Sequence, residues 1–250
     1  QTHDPENTNS TTEAAIALGA SKPRCLLVLG MHRSGTSALT RVISMLGATL
    51  PRQLNLASEG NVTGYWESEA LIAHNEAFLS RLDSTWYDWR ELDLGRLTRA
   101  RRDSIAAELA HLIALEYQQA PLIVLKEPRI CRFAALVFEA LDSLGYDTRP
   151  VLPIRSPLDV VASLGRRDGM GRAQAALLWL RHVLDAELAS RHLPRAIVAY
   201  DDLLSDWQKT LTQIRHRCEV EWTYHLAEVE GQVEAFLSPA RRHFSSNLDD

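Results

Sequence analysis

Cysteine is scarce in this chain of 250 residues: Cys25, Cys131 and Cys218 stand far apart, with no CxxC pair among them. That excludes a disulfide framework and fits a reducing, cytoplasmic compartment. Long hydrophobic runs are missing too. No stretch is long and apolar enough to span a bilayer and no basic-then-apolar leader precedes the domain, so a soluble protein is expected. The chain opens at Gln1 rather than methionine, which leaves room for a targeting segment or another domain ahead of it. Positive charge is not in excess either, with 27 Lys and Arg against 32 Asp and Glu and a net charge of -5. A surface built to coat nucleic acid is thereby excluded, and any anion site must be local. Internal repeats are absent.

What the chain does contain is 46% hydrophobic residues, enough for one sizeable core without a second domain. The opening stretch QTHDPENTNSTT is polar and aperiodic, so residues 1–21 read as a flexible arm and 22–250 as the folded domain. Beyond Lys22, short aliphatic runs alternate with helical periodicity. CLLVLG precedes Leu39, Val42, Ile43 and Leu46; PLIVLK precedes Phe133, Leu136, Val137, Leu141 and Leu144; RPVLPIR and RAIVAY each lead into a further helix. This alternation predicts an α/β fold, with a central parallel sheet covered on both faces in a three-layer α/β/α arrangement. The order of the strands is not legible.

Between the first strand and its helix stands Gly30-Met31-His32-Arg33-Ser34-Gly35-Thr36-Ser37. A glycine-rich turn in that position aims backbone N–H groups at a phosphate, so His32, Arg33, Ser34, Gly35, Thr36 and Ser37 form a candidate phosphate loop. The glycines have the GxxxxGK[ST] spacing, but Thr36 stands where the lysine would be and Arg33 supplies the cation. PLIVLK ends in Lys126, so no acid is placed there to hold Mg²⁺ as an ATPase needs. The site suits a phosphate ester and requires no metal.

A second candidate anion site lies in Arg155-Ser156-Pro157-Leu158-Asp159. Ser156 as N-cap, Pro157 at the first helical position and Asp159 as the far half of a capping box predict a helix start, with Ser163 two turns on. Arg155 and Ser163 then converge near a helix N-terminus. Two phosphate sites on one domain point to a doubly phosphorylated nucleotide.

Together the two motifs resemble those of the PAPS-dependent sulfotransferases, in particular bacterial members related to glycan and tyrosylprotein sulfotransferases. The resemblance implies a P-loop-containing domain that moves a sulfuryl group from 3′-phosphoadenosine 5′-phosphosulfate (PAPS) to a hydroxyl-bearing acceptor, releasing 3′-phosphoadenosine 5′-phosphate (PAP). The loop at Gly30 is similar to the family's 5′-phosphosulfate loop. The stretch from Pro153 to Ser163 is similar to its 3′-phosphate motif, gripped by Arg155 and Ser163. Gly64-Tyr65-Trp66-Glu67 resembles a run carrying the catalytic glutamate, which makes Glu67 the candidate base, with Glu59 and His74 as rivals. Glu67 could equally sit in the first turn of a helix for dipole reasons. His74 falls on the Leu71, His74, Phe78 face, as a packed histidine would. Lys126 faces the crevice at a strand's carboxyl end, where a transition-state role is expected, while Glu127 could pair with Lys126 or Arg129. Tyr200 resembles an adenine neighbour or starts a helix. Arg241 and Arg242 resemble a basic segment that closes over the nucleotide, or form a solvated charge cluster.

Three features stay open at this level. Trp86, Tyr87 and Trp89 in DSTWYDWRELD could stack on a sugar ring, cover the active site or pin a loop to the core. Arg99, Arg101 and Arg102 read as a surface group ahead of an amphipathic helix. The alternatives to a sulfotransferase are a P-loop kinase or NTPase, which needs ATP and Mg²⁺, and a non-catalytic nucleotide-binding module of a larger protein.

Overall fold

The run RCLLV forms β1 (Arg24–Val28), and alternate residues of this strand and the segment after it serve two different cores. Cys25, Leu27 and Leu29 point into one, Leu26 and Val28 into the other. A strand apolar on both faces must be covered on both faces. The computed structural model describes residues 22–55 and 64–246, with side chains through residue 238. The arm expected over residues 1–21 and the rival base Glu59 lie outside the described residues.

After β1 come α1 (Thr36–Met45), α2 (Glu69–Arg81), α3 (Arg99–Tyr117), β2 (Leu122–Lys126) and a 3₁₀ segment (Pro128–Phe133). Then follow α4 (Ala134–Ser143), β3 (Asp147–Ile154), α5 (Pro157–Asp168), α6 (Arg172–Ser190), β4 (Ala196–Ala199), α7 (Tyr200–Ser205), α8 (Trp207–Arg217) and α9 (Leu226–Ser246). Among the described residues the strands pair in parallel in the order β2-β1-β3-β4, with Val28 opposite both Lys126 and Val151. Outside β2, Thr49 adds one parallel bridge, donating to the Leu122 carbonyl at 2.9 Å and accepting from Val124 at 3.1 Å. At the opposite edge β4 has only 4 residues, and Gln213 donates to its Ile197 carbonyl.

Three layers result. On one face Phe78, Leu109, Ile113, Leu136 and Leu141 from α2, α3 and α4 cover the sheet. On the other, Leu39 and Ile43 from α1, Trp207 and Leu211 from α8, and Val233 from α9 do so. A smaller cluster of Met31, Val160, Leu164 and Leu178 binds α5 and α6 to the turn after β1. The chain leaves β1 toward β2 on one side and crosses back to β3 on the other. The loops after β1 and β3 therefore part above a switch point, the crevice where open α/β sheets bind ligands.

Two local expectations need correction. Ser156 is the N-cap of α5, but its side chain makes no capping bond, and the Asp159 carboxylate, the other half of the box, turns to Arg155 at 3.6 Å. Arg99, Arg101 and Arg102 do not precede a helix; they form the first turn of α3, which Thr98 caps through Arg101 N–H.

His182 in α6 is fully buried, and its Nδ1–H donates to the Leu178 carbonyl at 2.9 Å while Nε2 has no partner among the described residues. Burial pulls this imidazole down to about 3. The unfolded chain binds the proton near pH 6.5 and the folded one does not, so stability is complete above that pH and falls as pH drops from 6.5 toward 3. The loss is about 1.4 kcal/mol per pH unit within that window. Urea titrations at several pH values should show a slope shallower by that amount in His182→Leu than in the wild type; parallel slopes would mean that His182 is protonated in the native state.

Candidate active site

The loop between β1 and α1 is shaped by two left-handed residues, Arg33 with φ 69° and Gly35 with φ 83°. Arginine there is strained, and such strain persists where the surroundings fix it. Here they do. Arg33 Nε donates to Ser163 Oγ on α5 at 2.8 Å, and Arg155 Nη1 donates to the Arg33 carbonyl at 3.2 Å. Gly35 has no alternative residue. A Cβ at that position would lie 2.0 Å from Cδ2 of Tyr200, whose ring packs on the glycine and lies 5.2 Å from the Arg155 guanidinium.

Thr36 begins α1, and its N-cap is Gly35, which has no side chain to cap that helix terminus. Its first amides thus face the loop with no intrahelical acceptor. Ser34 Oγ and His32 Nε2 are buried without a hydrogen-bond partner among the described residues. These groups are what an oxyanion would satisfy.

The surrounding charge is positive. Burial first, then the cations Arg167 and Arg155, holds the Arg33 guanidinium below its ordinary value. His32 is likewise pushed well below the usual imidazole range, by burial first and then by Arg129, Arg167, His182 and Lys126, so it stays neutral. Arg167 is a residue that sequence reading missed. It stands one helical turn beyond Ser163, and that spacing is the signal that could have found it.

On the sheet side of the loop, Lys126 ends β2 with its ammonium buried. Nζ donates to Glu67 Oε2 at 2.9 Å and to Ser37 Oγ at 3.3 Å, while Ser37 donates to the Tyr65 carbonyl at 3.3 Å. Glu67 is only 4% exposed and lies ahead of α2, not in its first turn; Ser68 is the N-cap, accepting from Leu71 N–H at 3.2 Å. Trp66, with φ 58°, tucks its indole against Gly64 and under Arg41, whose guanidinium is 4.6 Å from the ring.

Behind the pair is a second buried network. Glu127 accepts from Arg129 Nη1 at 2.6 Å and from Asn75 Nδ2 at 2.7 Å, and Arg129 Nη2 reaches Glu76 at 2.6 Å. Glu127 therefore pairs with Arg129, not with Lys126, and burial raises its carboxyl above the usual range. His74 sits beside Asn75 at 3.2 Å and Glu108 at 3.4 Å, contacts that lead toward α3 and away from the phosphate loop. Tyr200 opens α7, as the helix-start reading has it, and its ring lies against Gly35. Arg241 and Arg242 lie within α9, and their side chains are outside the described set.

The site thus joins an uncapped helix terminus, three guanidiniums and a buried lysine–glutamate pair at one switch point. With that geometry established, comparison with known proteins adds the fold. No protein-family model matches the chain, and no curated protein does. Among solved structures, the sulfotransferase domain of the Synechococcus PCC 7002 olefin synthase aligns with a TM-score of 0.50 and 22% identity, over 84% of this chain and 77% of that one. This chain therefore has the fold of a sulfotransferase domain. The sulfotransferase domain from the curacin biosynthetic pathway aligns at TM-score 0.47 with 17% identity, over 81% of this chain and 76% of the other. A Mycobacterium tuberculosis sulfotransferase aligns at 0.41 with 16% identity, over 91% and 80%.

Proposed function

We propose that the protein is a sulfotransferase that uses PAPS as donor and a hydroxyl-bearing acceptor. The observation that carries this reading is the direct bond between the two anion motifs, Arg33 to Ser163 at 2.8 Å, closed by Arg155 on the Arg33 carbonyl. A mononucleotide triphosphate asks for one extended phosphate site; a nucleotide with phosphates on both ribose ends asks for two side by side. The Ser34 hydroxyl, without a partner among the described residues, and the N-terminal end of α1 fit the 5′ group, and Arg155 with Ser163 fits the 3′-phosphate.

The donor supplies an activated sulfuryl group; the acceptor oxygen forms the new S–O bond as the old one to the 5′-phosphate breaks, and PAP leaves with the electron pair. Arg33, Lys126 and the loop amides stabilise the leaving charge, and Glu67 takes the acceptor's proton. The Glu67–Lys126 pair gives both groups a counter-charge until a more anionic ligand draws Lys126 away. Glu67, two hydrogen bonds from Ser37 through Lys126, argues against a non-catalytic module.

Calorimetric titration with PAP, beside ATP and Mg²⁺, with and without chelator, tests the reading. The bisphosphate should bind tightly whether or not metal is chelated. Arg33→Ala or Arg155→Ala should each lower its affinity about 10- to 100-fold, as loss of a charge-assisted hydrogen bond does. Glu67→Gln should keep that affinity and lose turnover about 10²- to 10⁴-fold. Preference for Mg-ATP would make the protein a kinase or NTPase.

A further inference from the structure

The aromatic segment after α2 is held more firmly than a connecting loop needs to be. Four consecutive carbonyls each accept from a side chain of another element. Gln174 donates to Tyr87, Arg132 to both Asp88 and Arg90, and Arg181 to Trp89. Arg132 has a fully buried side chain and is itself fixed by Asp185 at 3.0 Å. Within the loop, Asp88 accepts from Ser84 and forms a two-pronged pair with Arg90 at 2.8 and 2.9 Å.

This scaffold divides the three aromatics. Trp86 points inward, its ring 4.9 Å from His32 of the phosphate loop and 5.6 Å from the Arg167 guanidinium. Tyr87 and Trp89 point outward and stay 48% and 44% exposed. A half-exposed aromatic on a pinned backbone has already lost much of the freedom that binding would cost it.

The outward pair lines an open trough of about 290 Å³ together with Asp83, Ser84, Thr85 and Gln174. A neighbouring cavity of about 440 Å³ shares Asp83, Ser84, Asp88 and Arg90, so the two are continuous. The lining selects the ligand class. Phenols and lipid tails want an enclosed apolar pocket, whereas carboxylates, hydroxyls, an amide and the exposed Arg90 guanidinium beside two half-exposed aromatic rings match a ring that carries hydroxyls on its rim and C–H groups on its faces. Trp86, 5.5 Å from Tyr87, links this trough to the loop.

We propose that the trough beside Tyr87 and Trp89 is a sugar-binding subsite that holds a glycan acceptor. This deepens the sulfotransferase reading and rests on it for the word acceptor, though not for the binding itself. The test is saturation-transfer NMR of the full chain with methyl glucoside, methyl galactoside, methyl N-acetylglucosaminide and, as competitors of other chemistry, p-nitrophenol and an acidic tyrosine-containing peptide. PAP affinity is measured in parallel on the same samples. At least one glycoside should bind, with transfer strongest at its ring C–H protons, and Trp89→Ala should weaken it about tenfold while PAP affinity stays within twofold. Binding of the phenol or the peptide with none of the glycosides, or glycoside binding indifferent to Trp89→Ala and Tyr87→Ala, overturns the subsite even if PAP binds. Failure of PAP to bind overturns the sulfotransferase reading instead, and glycoside binding lost in Trp89→Ala would then still sustain the subsite.

Discussion

Gly35→Ala is expected to cost the protein its nucleotide affinity by about 100-fold or more. A Cβ in left-handed backbone costs about 1–2 kcal/mol by itself, and here it would also stand 2.0 Å from the Tyr200 ring. The ring can escape only by leaving its place beside Arg155, which disturbs both anion motifs together. At about 1.4 kcal/mol per tenfold in affinity, the two contributions reach the expected loss. Titration with PAP measures it, and the pair Gly35→Ala with Tyr200→Ala separates the causes: the double variant should recover the part due to the clash and keep the part due to the backbone. Affinity within twofold of the wild type in Gly35→Ala alone would mean that Tyr200 yields freely and that its contact with the loop is incidental.

The second large effect concerns stability. Arg129→Met should lower unfolding free energy by about 3–5 kcal/mol, the cost of stranding one partner of a buried ion pair. Glu127 is 0% exposed, and without Arg129 it keeps only Asn75 as a side-chain donor while burial already opposes its charge. Its remedy is to take a proton, so the loss should shrink as pH falls. Arg129→Met combined with Glu127→Gln should recover most of it, because the neutral amide needs no counter-charge. Urea or thermal unfolding of the two variants decides the matter; equal losses in both would place the cost in packing around the arginine's methylenes instead of in the charge.

Much of the scaffold was legible because its signals are local. An unbroken apolar run followed by glycines and a 3.6-residue period specifies strand, turn and helix within about twenty residues, and β1 with α1 follows that pattern. The glycine-bearing turn between them was legible for the same reason. What the sequence hid depends on contacts far apart in the chain. Strand order is one case. Lys126 with Glu67 is another: each residue stood out singly, but their pairing spans 59 positions. Glu127 had two cations to choose from, and only the fold decides for Arg129. The capping box at Ser156 failed through a competition that a pattern cannot weigh, since Asp159 has a guanidinium one turn back and takes it in preference to a backbone amide. Arg167 went unseen because it lies beyond the second motif, although it shares a helix face with Ser163. The aromatic segment gave three readings, and the structure favours one of them for Trp86, which packs against the Met31 cluster and so ties the segment to the core, while the backbone itself is held by Arg132, Arg181 and Gln174, which no aromatic pattern could have pointed to.

The edges of the sheet carry a consequence for how copies of this chain meet. An open parallel sheet offers a ladder of unpaired amides on each side, which invites a strand from another molecule. Thr49 already occupies the Leu122 carbonyl and the Val124 amide outside β2, and β4 is four residues long with one of its carbonyls taken by Gln213. Among the described residues neither side presents a long free ladder, so sheet-to-sheet extension between molecules would find little template at these two edges.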